Sequence, residues 1–233
     1  MLMPMAVGCG VAHKILGLPT PALAVSGWVA GAAGLGLAAL HLGQPLRAWK
    51  VFLNLRQSWF SREAVVFGLW FPLATTYVAV RLGWLPLAGP LRSGLAAGTA
   101  LIGGLGLFCS VMIYVDTRRE FWRFSQTAPR FFGTAALFAL APVAPRAAAL
   151  VLAVKLAWES RTFFFGATSA RLQRGPLARA VLTRDLLALG AIVLLVTAAP
   201  LWLALPLLIA GEITERYLFF RAVDAPKMPG VPA

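Results

Sequence analysis

Acidic residues, histidine and cysteine are scarce in this sequence. Its 233 residues include 8 Asp and Glu, 2 His and 2 Cys, against 21 Lys and Arg. Cys9 and Cys109 both lie in apolar stretches, without a partner at disulfide or metal-ligand spacing, so we expect buried free thiols. The sequence has no GxxxxGKS or GxxxxGKT motif, which excludes a P-loop nucleotide-binding protein.

Apolar residues dominate what remains. They make up 60% of the chain, charged residues make up 12%, and the mean hydropathy is +0.79, which indicates a polytopic membrane protein. A spanning helix needs about 20 apolar residues. The windows that approach this length are 22–42, 62–81, 91–114, 131–144, 146–161, 184–200 and 202–221. We expect residues 1–18 to form a curtailed first helix rather than a secretory signal.

The predicted fold is therefore all-α, a polytopic transmembrane helical bundle of seven to eight spans in a single domain over residues 1–233. Windows 131–144 and 146–161 are short, and they form either one kinked helix or a hairpin of two. Pro142 and Pro145 favour the hairpin, because proline removes a backbone donor and disfavours helix at the residue before it.

Glycines in windows 22–42 and 91–114 are expected to provide small faces that let helices pack closely in lipid. They are Gly27 and Gly31 in the first of these windows and Gly94, Gly98, Gly103, Gly104 and Gly106 in the second.

With the hairpin, charge is distributed unevenly between the two membrane faces. The basic residues on the sparser face are Lys14, Arg81, Arg92 and Arg146. All eight acids map to the other, basic face or to the helix ends beneath it, so the positive-inside rule predicts cytoplasmic basic loops and a cytoplasmic C-terminus. The net charge of +13 suits lipid headgroups or an acidic partner surface, and we do not expect nucleic-acid binding in so apolar a chain.

The segment HLGQPLRAWKVFLNLRQSWFSRE places His41 and Glu63 at the ends of two successive spans, on the same membrane face. Together they form an acid/base pair near neutral pH, which suits a ligand that gains or loses protons with electrons. Structural alternatives stay open for each residue. Glu63 could simply complement a helix dipole, and His41 could bond a backbone carbonyl.

Glu212, Glu215 and Arg216 form a second group of charges, within the last predicted span. Their spacing of i, i+3 and i+4 puts all three on one side of a helix. Charges inside spans usually mark either transport pathways or buried ion pairs. We expect a structural ion pair here, with Lys155 or a loop arginine as partner.

Haem binding can be judged from the histidine count. A bis-histidine site needs two imidazoles that face each other across helices, and this chain has only His13 and His41. These two are expected toward opposite faces of the membrane. The sequence therefore predicts an anchor without haem.

Four segments together resemble the integral membrane anchor subunits of dimethyl sulfoxide reductase and related molybdenum enzymes. They are HLGQPLRAW at 41–49, SWFSREA at 58–64, CSVMIYVDTRREFW at 109–122 and GEITERYLFFRAVDAPKMPG at 211–230. The resemblance implies a bacterial inner-membrane bundle, commonly of eight spans, that is not itself the catalytic subunit. It would hold an iron–sulfur subunit and a molybdopterin catalytic subunit and exchange electrons with the quinone pool, using ubiquinone or menaquinone.

The resemblance also implies roles for particular residues. The family's quinol-site histidine and glutamate match His41 in HLGQP and Glu63 in SRE. Arg47 and Arg62 lie within the same motifs and would orient the quinone headgroup or dock the iron–sulfur subunit. The docking surface is expected on the arginine-rich loops and their aromatic residues. These loops are 44–62, 115–130 and 161–184, with Phe52, Trp59, Phe60, Phe121 and Trp122 among their residues.

Orientation separates this chain from the dimethyl sulfoxide reductase itself, whose catalytic subunits are exported. The charge bias places His41 and Glu63 on the cytoplasmic side. That orientation favours an anchor of the type found in membrane-bound sulfite dehydrogenases, where electrons run from sulfite to quinone. Two alternatives stay open: a membrane transporter, and a passive anchor without a quinone site.

Overall fold

A computed structural model describes residues 2–15, 21–40, 49, 51, 53–165 and 167–223 of the chain. These ranges are helical and contain no strand, which confirms the predicted all-α class. The helices are α1 (Leu2–Ile15), α2 (Ala22–Leu40), α3 (Trp59–Arg81), α4 (Gly89–Val115), α5 (Phe124–Leu140), α6 (Pro145–Phe165), α7 (Ala167–Arg174), α8 (Ala178–Val196) and α9 (Leu201–Arg221). A short 3-10 turn, Glu120–Trp122, joins α4 to α5.

The predicted hairpin at APVAP is confirmed. Helix α5 ends at Leu140, α6 begins at Pro145, and the amides of Val143 and Ala144 both donate to the Leu140 carbonyl in the turn between them. Pro145 suits the first position of α6, where its missing N–H would have had no helical partner. The two helices run in opposite directions and pack together. A hydrogen bond from the Trp158 indole N–H to the Ser125 carbonyl, at 2.8 Å, joins the C-terminal half of α6 to the start of α5.

Three of the described helices are long and apolar enough to cross a membrane, namely α2, α3 and α4. Helix α5 has only 17 residues. Helices α6, α8 and α9 have the length but carry several charged side chains within it. A bundle of seven to eight spans therefore stays a prediction, and its later spans depend on how those charges are accommodated.

One end of the bundle, which we call the basic end, is where α3, α5 and α8 begin and α4, α6 and α9 end. Contacts between side chains of successive neighbours join these termini. The pairs are Glu63 with Ser110, Tyr114 with Phe219, Glu215 with Arg130, and Glu159 with Arg184. Every acid in the described ranges lies at or near this end, as the sequence predicts, and only Asp224 falls outside them.

Helix α1 is short but packs inside the bundle, against α2, α4 and α5. Its 14 residues extend about 21 Å, less than the apolar thickness of about 30 Å. Ala6, Val7 and Cys9 are buried, and Cys9 and Cys109 are both free buried thiols, as predicted. The α1 backbone approaches α5 so closely that a Cβ added at Gly8 would stand 2.2 Å from the Ala135 carbonyl oxygen.

Glycines on α4 divide into two groups. Gly103 and Gly106 are buried, and their missing side chains make room for the Trp70 and Phe67 rings of α3. Gly94, Gly98 and Gly104 have open space around the Cβ position. The expectation of small packing faces is thus confirmed for the first group and wrong for the second. Helix α3 contributes aromatic rings to this contact, so the glycines accommodate side chains rather than a bare backbone.

This division predicts opposite effects for one substitution made two residues apart. Gly106→Ala places a Cβ 2.4 Å from the Phe67 ring and should destabilise the protein by about 1–3 kcal/mol through overpacking. Gly104→Ala, with nothing within 4 Å, should be neutral or stabilise by up to about 1 kcal/mol, because alanine favours helix. Thermal unfolding in mild detergent measures both. Equal effects of the two changes would contradict the α3–α4 packing described here.

Candidate functional site

Glu63 lies on the second turn of α3, at the basic end. Ser58 caps the helix, because its Oγ accepts a hydrogen bond from the Ser61 amide at 3.3 Å. Favourable interaction with the helix dipole is confined to the first turn, which contains no acid here. The dipole alternative for Glu63 is therefore weak, and its side chain has a partner on another helix.

That partner is Ser110 on α4, whose hydroxyl is hydrogen-bonded to the Glu63 carboxyl group. Ser110 Oγ also lies 3.1 Å from the Gly106 carbonyl oxygen. A hydroxyl has one hydrogen, so it cannot donate to both oxygens at once. Ser110 can donate to an ionised Glu63, or it can donate to Gly106 and accept a hydrogen bond from a protonated Glu63. The pair therefore accommodates Glu63 with or without a proton.

An aromatic cluster lies at the same end of the bundle, and its member Trp59 stands one turn before Glu63 on α3. Phe108, two residues before Ser110, meets Trp59 of α3 edge-on at 5.9 Å and Phe124 of α5 at 6.4 Å between ring centroids. Rings in such a cluster offer apolar faces next to a proton-carrying group. The arrangement suits a flat ligand whose oxygen atoms exchange protons.

Arg62 holds the chain that leads into α3. Its Nε donates to the Leu55 carbonyl at 2.8 Å, its Nη2 donates to the Arg56 carbonyl at 2.7 Å, and its guanidinium lies 4.2 Å from the Trp59 ring centroid. These contacts order the loop immediately before the helix that carries Glu63. His41 and Arg47, the other two predicted site residues, lie outside the described residues.

A network of buried ions lies deeper in the bundle, between α5, α6, α8 and α9. It contains four cations and three carboxylates, and none of their side chains is more than 11% exposed. The members are Arg130, Lys155, Glu159, Arg184, Glu212, Glu215 and Arg216. Such burial is tolerated in lipid only when the charges are paired and hydrogen-bonded.

Glu212 is the centre of one half of this network. Its carboxylate accepts hydrogen bonds from Lys155 and from the Thr134 hydroxyl, and Arg184 Nη2 reaches its other oxygen at 3.1 Å. Arg184 also donates to both oxygens of Glu159, at 3.2 and 3.3 Å. The prediction that Lys155 or an arginine pairs with the charges of the last span is confirmed.

Glu215 is the centre of the other half. Arg130 Nη1 donates to its Oε1 at 2.8 Å, while Arg216 Nε is 3.5 Å from Oε2 and forms an ion pair without a hydrogen bond. The Arg216 guanidinium instead stacks 3.8 Å above the centroid of the Phe131 ring, and its Nη2 donates to the Arg130 carbonyl at 3.3 Å.

Two expectations about the loops need correction. Arg130 and Arg184 do not belong to an exposed docking surface, because they are 3% and 2% exposed and pair with the glutamates of α9. Phe121 and Trp122 are also buried. The Trp122 indole N–H donates to the Phe219 carbonyl at 3.0 Å, and the two rings stack.

The helical periodicity of the sequence indicates that Arg184 is buried. Residues 184, 188, 191 and 195 are spaced three or four residues apart, about one helical turn, and the last three are small or apolar, as a buried stripe requires. All four are buried in α8. A charged residue at the start of such a stripe points into the bundle and needs a partner there.

Pairing in the network predicts a large cost for removing its central carboxylate. Glu212→Gln leaves Lys155 and Arg184 with only Glu159 as an acid partner, and should destabilise the protein by about 3–5 kcal/mol. Glu120→Gln is the matched control. Glu120 pairs with Arg123 at 70% and 62% side-chain exposure, so its loss should cost about 0–1 kcal/mol. Thermal unfolding in detergent compares the two, and similar midpoints would show that the network does not stabilise the bundle.

Comparison with known proteins identifies the family of this chain. A family model described as DMSO reductase anchor subunit (DmsC) matches residues 23–165, more than half of the chain. A protein of Allochromatium vinosum named as a sulfite dehydrogenase subunit is 37% identical over 89 residues, an alignment that covers 36% of this chain and 27% of that protein. No solved structure matches significantly. The family match over more than half of its length shows that the chain belongs to the DMSO reductase anchor subunit family.

Proposed function

We propose that this chain is the haem-free membrane anchor of a molybdenum enzyme and carries a quinone site at Glu63. In this proposal it holds an iron–sulfur subunit and a molybdopterin catalytic subunit at the membrane. Electrons pass between the nearest iron–sulfur cluster of that partner and the quinone pool. The chain itself supplies the site for the headgroup and the groups that exchange protons with it.

The hydrogen-bonded pair of Glu63 and Ser110 is the observation that supports the quinone site. Reduction of a quinone to a quinol adds two electrons and two protons. A protonated Glu63 can give a proton to a quinone oxygen, after which Ser110 turns its hydroxyl from the Gly106 carbonyl to the new carboxylate. In the opposite direction the carboxylate takes a proton from quinol, so the same pair serves either reaction.

His41 is the second proposed proton carrier, because it belongs to the HLGQP motif that resembles the family's quinol site. Arg62 acts in this proposal by fixing residues 55 and 56, and so the loop between His41 and α3. The headgroup would then lie between His41 and Glu63, with the aromatic cluster of Trp59, Phe108 and Phe124 beside it. Arg47 stays a proposed neighbour of the headgroup.

The basic end is the proposed docking surface for the iron–sulfur subunit. Its exposed arginines include Arg118 and Arg123 after α4 and Arg171 and Arg179 around α7. By the positive-inside rule this end faces the cytoplasm of a bacterium, with the catalytic subunits on the same side. Acidic surfaces on a partner would be steered toward it.

Substrate identity belongs to the catalytic partner, and the relative named as a sulfite dehydrogenase subunit favours sulfite. We propose a sulfite:quinone oxidoreductase in first place and a dimethyl sulfoxide type of reductase in second. A transporter is disfavoured because the buried charges pair with one another across four helices. A passive anchor without a quinone site predicts that substitution of Glu63 leaves quinone-dependent turnover unchanged.

Glu63→Gln keeps the size of the side chain but replaces the ionisable carboxyl group with an amide that does not titrate. Turnover is measured in membranes, either as sulfite-dependent reduction of a decyl-quinone or as sulfoxide reduction by the corresponding quinol. It should fall by at least about 100-fold. Assembly should persist, as shown by co-purified iron and by activity with an artificial dye that bypasses the quinone. Glu120→Gln changes an exposed carboxylate at the same end and should leave turnover unchanged. Normal quinone turnover in Glu63→Gln would support the passive anchor.

Charge reversal tests the docking surface. The double variant Arg118→Glu, Arg123→Glu should lower the iron that co-purifies with the chain by about tenfold or more, because two like charges now face an acidic partner. Arg92→Glu, Arg146→Glu is the matched control, since these arginines are also exposed but lie at the opposite end of the bundle. Equal iron in both preparations would place the partner's contacts elsewhere.

A further inference from the structure

A cavity of about 270 Å³ lies among α5, α6, α7, α8 and α9, beside the buried ion network. Its lining residues are Arg130, Leu156, Glu159, Ser160, Gln173, Val181, Arg184, Asp185 and Leu218. Ser160 is exposed and Asp185 is half-buried, so they form an open rim. Arg130, Gln173 and Leu218 are buried and form the floor. The family match ends at residue 165, so much of this cavity lies outside it.

Arg130 contributes to the floor of this cavity and has one hydrogen-bond donor without a partner. The residue is 3% exposed, and its Nη1 donates to Glu215, but its Nε has no hydrogen-bond partner among the described residues. A buried donor without a partner is costly, and most such groups in proteins find a protein atom, a water or a ligand. An acceptor atom on a ligand in the cavity would satisfy it once the Arg130 side chain turns toward the ligand.

Charge on the lining selects a neutral ligand. Two guanidinium groups, Arg130 and Arg184, face the cavity together with two carboxylates, Glu159 and Asp185. The carboxylates would repel an anion and the guanidinium groups would repel a cation, and the low dielectric of a buried site strengthens both repulsions. A neutral molecule with hydrogen-bonding atoms meets neither penalty.

The apolar part of the lining determines the shape of that molecule. Leu156, Val181 and Leu218 come from three different helices and provide walls between the polar floor and the polar rim. Ligand sites of this kind combine apolar walls with a few placed polar groups. The volume is at the small end for such sites and suits a single substituted ring.

We propose that this cavity binds the headgroup of a quinone or quinol as a second site, additional to the one at Glu63. One ring oxygen accepts a hydrogen bond from Arg130 Nε on the floor. The opposite oxygen lies at the rim, where the Asp185 carboxylate can accept a hydrogen bond from a quinol hydroxyl. This inference rests on the proposed function only in taking quinone as the ligand, and the two sites are separable by experiment.

Photolabelling of the intact purified complex with an azido-quinone, followed by peptide mapping, tests the proposal. Label is expected on peptides of α6 or α8 as well as near Glu63, and unlabelled quinone should remove it. Val181→Phe fills the cavity without changing a charge and should lower α8 labelling by about tenfold or more, while labelling near Glu63 persists. Val193→Phe makes the same change at a 60% exposed position of α8 and should change neither label.

Asp185→Asn provides a second variant that keeps the size of the rim residue. It should weaken labelling at α8 by about fivefold with an azido-quinol probe, the effect of one hydrogen bond. The same variant should leave labelling near Glu63 unchanged. Unchanged α8 labelling in both Val181→Phe and Asp185→Asn would overturn the proposal.

The pattern of labelling distinguishes the two sites. Label near Glu63 alone overturns the second site and leaves the proposed function standing, with water as the occupant of the cavity. Label at neither position overturns both. Label at α8 alone supports the second site and contradicts the site at Glu63. If excess phosphatidylglycerol removes the α8 label and quinone does not, the cavity is a lipid site and the proposal fails.

Discussion

Pairing of buried charge is the constraint on which the second half of this bundle depends. Helices α6, α8 and α9 carry charged residues that would oppose insertion of each helix alone, and the network neutralises most of that charge only when the helices are together. Glu212 is the centre because it contacts cations from two other helices, Lys155 and Arg184. The charged residues that make each of these helices unfavourable to insert alone therefore determine which helices pack against it.

Helix α4 connects the network to the proposed site at Glu63. Ser110 bonds Glu63 on one side, and Tyr114, one turn later, packs its ring 5.7 Å from Phe131 and 5.1 Å from Phe219. Those two rings lie beneath the guanidiniums of Arg216 and Arg130. The position of Ser110 is thus supported by the same packing that surrounds the ions. The proposed proton exchange would depend on this rigidity, because its two hydrogen-bond arrangements differ by one proton on Glu63 and by rotation of the Ser110 hydroxyl.

Much of the fold could be predicted because hydropathy and the effect of proline depend only on residues close together in the sequence. The APVAP turn is an example. Lys155 was expected as a partner of the charges on α9, because it is the one lysine inside the seven apolar windows. The other partners across helices could not be predicted, because periodicity tells which face of a helix is buried but not which neighbouring helix packs against it. Ser110 stands 47 residues from Glu63 in an apolar run, and Arg130 stands 85 from Glu215. The arginines were expected in loops because they lie at the edges of apolar windows, where snorkelling and burial give the same sequence pattern.

Metal content of the natural complex tests the central claim, that this chain anchors a molybdenum enzyme at the membrane. The chain would be tagged, purified from its own membranes in mild detergent, and its molybdenum and iron measured against protein. The account predicts both metals in stoichiometric proportion to the chain, with iron in excess of molybdenum. An intact preparation that contains neither metal would contradict it and would restore the transporter as the leading alternative.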